Sequence, residues 1–530
     1  MKHAFAAACG AAFGAVLLVS CATPTREQGL VSRAADAMGG AQALAAIKTV
    51  SGSGTSKWWE PEQSDAPGGE PRFAAEGTFE LLADTAARAT RVDWKKNFAY
   101  PAPRSFAYSE IVTPQAGYVI GVDSNGRNAE SMKANPPAHS MSGYRLATTQ
   151  RELRRASVGG LLVAMHANPQ AVQPAADLAA GGRILPAVSY QGFIVGFDPQ
   201  SGLPERVRTL DYDNIWGDVA YDYVYTRWRD VGAVRVPMSG RYELNGRTVQ
   251  EIQLSEVRFN QPVDRARLEI PAAVLANAAK PATGNVPYQW VIRRQFIGVY
   301  MDSDNVSYDT KGSPGLRLQE LSPGVFHVTG GTHNSLLVEM SDHLVVVDAP
   351  VTDAQSMWVV NAARQRFPGK PIRWVVLTHH HMDHAGGLRG LLAQEGAVLV
   401  VGQGAGAHFR RVLSAPMRRN PDLQPYDFNR TPILEVPESH VMSDSRGRQV
   451  IAYVMDNPHA KGMMMAWVPD AKLGFVTDIW SPGPPLPAKP NPGLVSVVNA
   501  VKKAGIQPER FAGGHGSVAP YAQLAVLAGQ

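Results

Sequence analysis

Six consecutive residues, His379-His380-His381-Met382-Asp383-His384, restrict what this chain can become more than any other stretch of it. They follow a short apolar run, Trp374-Val375-Val376-Leu377, and Thr378. Ala385-Gly386-Gly387 and a helical pattern through Leu388, Leu391 and Leu392 come after them. The burst therefore belongs on a loop at the C-terminal end of a strand, where α/β folds place their sites. His379, His381, Asp383 and His384 offer nitrogen and oxygen donors of the kind Zn²⁺ accepts. At positions i, i+2, i+4 and i+5 of a loop these side chains can diverge enough to serve two metal ions. One ion cannot easily take all four. A chance histidine tract would not be preceded by a strand of buried type and closed by a glycine pair.

The segment resembles the signature of the metallo-β-lactamase superfamily. The resemblance implies further ligands downstream, in order and on loops after strands. His459, in Asn457-Pro458-His459-Ala460, matches the third histidine motif, with Pro458 where glycine is usual. Asp478 closes the run Leu473-Gly474-Phe475-Val476-Thr477 and matches the carboxylate that bridges two metals. His515, in Gly513-Gly514-His515-Gly516, matches the final histidine. Upstream, Leu344-Val345-Val346-Val347-Asp348 resembles the strand and aspartate that buttress the metal loop. The resemblance thus implies His379, His381 and His459 around one zinc ion, and Asp383, His384 and His515 around a second, with Asp478 between them. Asp383 would also be catalytic, orienting or relaying the proton of a metal-bridging hydroxide. His380 and Met382 are expected to point elsewhere, and His333, His408 and His440 read as structural.

The implied fold is α/β. A C-terminal αββα metallo-β-lactamase-type sandwich, residues 315–530, is preceded by a mostly antiparallel β domain. The implied activity is metal-dependent hydrolysis of a small-molecule substrate with two Zn²⁺ ions per chain. An aspartate at position 478, with no cysteine there and no lysine three residues later, departs from the cysteine-containing β-lactamases. It looks more like the superfamily's thioesterases, lactonases and phosphodiesterases. The stretch Trp480-Ser481-Pro482-Gly483-Pro484-Pro485-Leu486-Pro487 is apolar and rigid, which favours a small ester, thioester or lactone over a phosphodiester. A β-lactam hydrolase, or a non-catalytic binding module with a vestigial metal domain, are the alternatives. An oxidoreductase is disfavoured by the lack of a Gly-rich nucleotide fingerprint.

The chain holds only two cysteines, which excludes a disulfide scaffold and a zinc site built on thiolates. Both are near the N-terminus. Lys2 and the alanine-rich run Ala4 to Val19 read as a secretory signal, residues 1–20. Leu18-Val19-Ser20-Cys21 resembles a bacterial lipobox, which implies a lipid on Cys21 and a periplasmic protein anchored to the outer membrane. The formal charge is +5, from 51 basic and 46 acidic residues. The basic residues are dispersed, so no nucleic-acid partner is expected.

Of 14 histidines, 11 lie from His327 onward, which places the chemistry in the C-terminal part. Ahead of it, Glu27 to Ile47 has helical spacing around Gly39-Gly40, and residues 50–270 read as strands. Val219, Tyr221, Tyr223 and Tyr225 alternate onto one face, and Asn245-Gly246 signals a hairpin. Pro61 to Pro71 reads as a loop separating strands, and no titratable cluster exceeds a solvated surface. Expected boundaries are 22–280 for the β-rich domain and 281–314 for a linker.

Overall fold

The structure is a computed structural model describing residues 24–124, 138–299, 301–302, 316–331, 333–393, 396–422, 424–484 and 489–528. The expected signal, residues 1–20, and Cys21 lie outside the described residues. Among the described residues no helix is long and apolar enough to cross a membrane.

Among the described residues the N-terminal part is an antiparallel sheet of 13 strands with a separate two-stranded sheet, Leu178–Ala180 and Arg183–Leu185. Near the middle of the larger sheet, Thr49–Glu60 pairs with Arg72–Asp84 on one side and with the central strand Arg247–Phe259 on the other. The strand Gly217–Val231 buries Val219, Tyr221, Tyr223 and Tyr225, as alternation requires. Asn245 (φ 49°) and Gly246 (φ 81°) make the hairpin turn with both central residues left-handed, which these two residue types tolerate best. Arg26–Ala37 is helical and opens with a capping box from Thr25 and Gln28. It packs on the sheet with the helices Gly143–Ala156, Val158–Ala167 and Tyr288–Ile297.

Two expectations need correcting here. The stretch read as a linker contains the helix Tyr288–Ile297, which buries Val291, Ile292 and Phe296 against the sheet. Pro287 stands at its N-cap and so begins a helix rather than breaking one. The N-terminal domain also holds buried ionic clusters. Arg145 bonds Glu110, Asp123 and Asp302, and Arg293 bonds Glu60 and Glu62.

The C-terminal part is a four-layer αββα sandwich. A seven-stranded sheet is parallel across Leu344–Val347, Ile372–Val376, Val398–Gly402 and Ile433–Val436. Its strands are apolar on both faces because both are covered. Leu344 and Val346 face the helix Asp353–Arg366, whereas Val345 and Val347 face a six-stranded sheet. Pro492–Ala504 and Tyr521–Leu527 cover that second sheet from outside. The two sheets meet closely at one end, where a Cβ on Gly402 would lie 1.8 Å from the Gly462 carbonyl oxygen.

Among the described residues the domains touch at several places, two of which bear on the site. Ile215, on a turn of the N-terminal sheet, is buried in the helical layer of the sandwich, beside Asn214, whose side chain donates to the Val351 carbonyl. The hairpin loop 61–71 reaches the loops that carry the histidines.

Candidate metal centre

Every residue expected at the site follows a strand at the same end of the sandwich. His379, His381, Asp383 and His384 come after Ile372–Val376, Asp478 after Leu473–Val476 and His515 after Arg510–Gly513; His459 lies on the loop between Gln449–Val454 and Met464–Val468. Strands run apolar into the core and leave their loops clustered at the edge of both sheets. Asp348 and Asp478 both adopt left-handed backbone, φ 65° and 57°. That conformation costs a non-glycine residue energy and marks positions fixed by their surroundings.

The seven side chains converge. His381 Nδ1 lies 3.0 Å from His459 Nε2. Asp478 Oδ2 lies 3.1 Å from His379 Nε2 and 3.3 Å from His459 Nε2. The same oxygen is 3.1 Å from His384 Nε2, and Asp478 Oδ1 is 2.7 Å from His515 Nε2. Asp383 Oδ2 is 3.6 Å from His384 Nε2 and 3.9 Å from His515 Nε2. Donors about 2.0–2.2 Å from a tetrahedral zinc ion stand roughly 3.3–3.5 Å apart, so these separations suit ligand atoms around a common centre. Two groups of donor atoms result, His379, His381, His459 and Asp478 in one, and His333, Asp383, His384 and His515 in the other.

The hydrogen-bonding pattern fits a metal as well. His379 Nε2, Asp478 Oδ2 and His515 Nε2 are buried yet have no hydrogen-bond partner among the described residues. Unpaired buried polar atoms are costly unless something binds them. Two of the other ring nitrogens are tied down. His384 Nδ1 donates to Asp348 Oδ2 at 2.9 Å, and that aspartate also accepts from the Thr378 amide and hydroxyl. His381 Nε2 donates to the Ser64 carbonyl at 3.0 Å, which leaves Nδ1 facing the group. Such partners fix the tautomer and orientation of ligating histidines. Burial, outweighing the pull of Asp478, pushes His379 down to about 3. A neutral imidazole is the form that binds metal.

Residues 328–519 match the sequence model of the metallo-beta-lactamase superfamily. The C-terminal domain belongs to that superfamily.

Some solved structures are similar to part of the chain. A metallo-beta-lactamase from Hirschia baltica is 20% identical, with 40% of this chain and 96% of that chain covered and a TM-score of 0.31. A HARLDQ-motif mutant metallo-beta-lactamase from Cronobacter sakazakii is also 20% identical, covering 38% and 80%, with a TM-score of 0.28. The stereoselective inverting sec-alkylsulfatase from Pseudomonas sp. is 17% identical, covering 43% of this chain and 44% of its own length, with a TM-score of 0.31. No curated protein matches the chain.

Around the metallo-β-lactamase centre, three features differ from the sequence reading or go beyond it. His333, read as structural, points into the second group, with Nε2 3.3 Å from Asp383 Oδ2 and its ring 4.5 Å from that of His515. It is a lone histidine on a loop, and only the polar burst Gly330 to Asn334 between two apolar strands hinted at it. Gln63, on the hairpin loop, donates from Nε2 to Asp383 Oδ1 at 2.7 Å and accepts at Oε1 from the Tyr100 hydroxyl. Here the available signal was length, because residues 61–71 far exceed the two to five residues a hairpin needs. Third, Trp480 is buried in the core against Phe511, ring centroids 5.5 Å apart, so it does not make an apolar mouth. Residues 485–488 of the same stretch lie outside the described residues. His380 stays out of both groups, as expected, and donates to the Ser64 carbonyl.

Proposed function

We propose that the protein is a binuclear zinc hydrolase acting on a small ester, thioester or lactone. The observation that carries this reading is the pair of donor groups meeting at one carboxylate, Asp478. His379, His381 and His459 would hold one ion, Asp383, His384 and His515 the other, and Asp478 both. Two such ions supply an activated water at neutral pH and polarise a carbonyl oxygen.

The chain's own residues arrange the rest. Gln63 holds one oxygen of Asp383, so the other faces the donor group, where it orients the attacking water and accepts its proton. In the chain itself burial works against the charge on Asp383, but His384 and the hydrogen bond from His333 keep it well below the usual carboxylate range. It is therefore a base and not an acid at neutral pH. A neutral carbonyl substrate is favoured because Arg72, a cation at this edge, is already committed to Asp65 and to the His459 carbonyl at 2.8 Å. A phosphodiester needs free cations.

Metal analysis of the purified protein should find close to two zinc equivalents. Asp478→Ala should lose one of them and the activity; both metals and full turnover retained in that variant would sink the assignment. A panel of lactones, thioesters, nitrocefin and phosphodiesters reads the substrate class. Domain limits of 22–280 and 315–530, with the helix Tyr288–Ile297 packed on the N-terminal sheet, and outer-membrane anchoring through a lipid on Cys21 belong to the same proposal. Labelling with radioactive palmitate, with Cys21→Ser as control, tests the anchor.

A further inference from the structure

The N-terminal sheet encloses a cavity of about 1650 Å³ between its strands and the helices Gly143–Ala156 and Val158–Ala167. No metal-centre residue lines it. Its wall is mainly apolar, built from such residues as Phe79, Leu81, Val92, Ile252 and Val257. A cavity this size exceeds the roughly 300–1,000 Å³ typical of small-molecule sites, which suits a long flexible molecule better than a compact one.

One cation stands in that wall. Lys96 is 5% exposed, and its Nζ lies 4.5 Å from the ring centres of Trp58 and Trp94 and 5.5 Å from that of Tyr108. Aromatic faces attract an ammonium but accept no conventional hydrogen bond from it. No hydrogen bond or ion pair joins Lys96 Nζ to another described residue. The nearby Glu110 is already engaged by Arg145 at 2.8 Å and by Trp94 Nε1 at 3.0 Å. The three donors of this ammonium therefore have no protein acceptor and face the cavity, where water or a ligand's oxygens can supply one. Burial pushes Lys96 down to about 8, which leaves it mostly charged at neutral pH. The surplus of carboxylates around Arg145, namely Glu110, Asp123 and Asp302, supports that charge from a distance without capping it. Arg88 and Arg154 also line the cavity, and two cations there favour the approach of anions.

We infer that this cavity binds a long-chain anionic amphiphile, with its head-group oxygens on Lys96 and its chain along the apolar sheet face. The site is independent of the metal centre.

The test uses purified full-length protein and cis-parinaric acid as fluorescent probe, displaced by palmitate, hexadecyl sulfate, hexadecanol or hexadecyltrimethylammonium. The two anions should displace the probe at least about tenfold better than the alcohol or the cation, the worth of a charge-assisted hydrogen bond. The ratio of palmitate to hexadecyl sulfate then tells a carboxylate site from a sulfate or phosphate site. Lys96→Met should weaken palmitate about tenfold and leave hexadecanol unchanged. Val257→Trp, which fills the cavity, should weaken both. Equal displacement by palmitate and hexadecanol in the unaltered protein overturns the inference without any variant. So does a probe that fails to bind, or palmitate affinity untouched by Lys96→Met.

Discussion

Replacing Gln63 tests whether the N-terminal domain takes part in the chemistry of the metallo-β-lactamase domain. Gln63→Leu keeps the bulk but removes both the donor to Asp383 Oδ1, 2.7 Å away, and the acceptor of the Tyr100 hydroxyl. A hydrogen bond to a charged group contributes about 1.5–3 kcal/mol, and leaving the partners unpaired adds to the loss. The Asp383 side chain is 19% exposed, so water can replace part of the bond, and the lower half of that range applies. An effect of about 1.5–2 kcal/mol corresponds to roughly ten- to thirtyfold, within the 10–100-fold usual for groups that support a metal ligand. The assay is a zinc titration of metal-stripped protein against a competing chelator, repeated with Co²⁺ to follow coordination by absorption, beside kcat/KM on the best substrate. The second equivalent of metal should bind ten- to thirtyfold more weakly and kcat/KM should fall in step, while the first equivalent is unchanged. Gln63→Glu should do worse, because it sets a second carboxylate against Asp383. Folded Gln63→Leu protein with second-site affinity and kcat/KM within about twofold of the original would refute the reasoning.

His333→Ala should weaken the second metal equivalent about tenfold and alter the Co²⁺ spectrum of that site only; an unchanged titration would return His333 to a packing role. Burial, opposed by the Gly390 amide, pushes Asp353 up to about 6 from 3.8. Its folded form therefore holds a proton that the unfolded chain has released. This contribution to stability is complete below about pH 4 and is lost as pH rises through 6, on the order of 3 kcal/mol in all. Denaturant titrations from pH 4 to 8 should show that loss, and Asp353→Asn should remove it.

The convergence of the two donor groups was legible because their signal is local. His379 to His384 are neighbours in sequence, and Asp478 and His515 each end a short apolar strand. The Asn245-Gly246 turn was legible for the same reason. Gln63 was not, since its bond to Asp383 spans 320 positions and exists only because two domains dock. The burial of Trp480 was not legible, because apolar residues look alike in sequence whether they lie beside a site or fill a core. The Arg145 cluster was hidden because Glu110 and Asp123 sit among strand residues and nothing in their spacing tells which face is covered. Pro281 and Pro287 suggested a break where Tyr288–Ile297 begins, because proline serves both purposes.

The contact between the hairpin loop and the histidines has a consequence for how the chain tolerates change. His380 and His381 both donate to the carbonyl oxygen of Ser64, a main-chain atom that any residue at position 64 would supply. Substitution there leaves the acceptor in place. An inserted or deleted residue between 61 and 71 moves it by a few ångströms and breaks two bonds at once. These two bonds of the joint between the domains therefore depend on frame length more than on the side chain that carries the acceptor, although Ser64 is itself buried and its hydroxyl lies 3.2 Å from His380 Nε2.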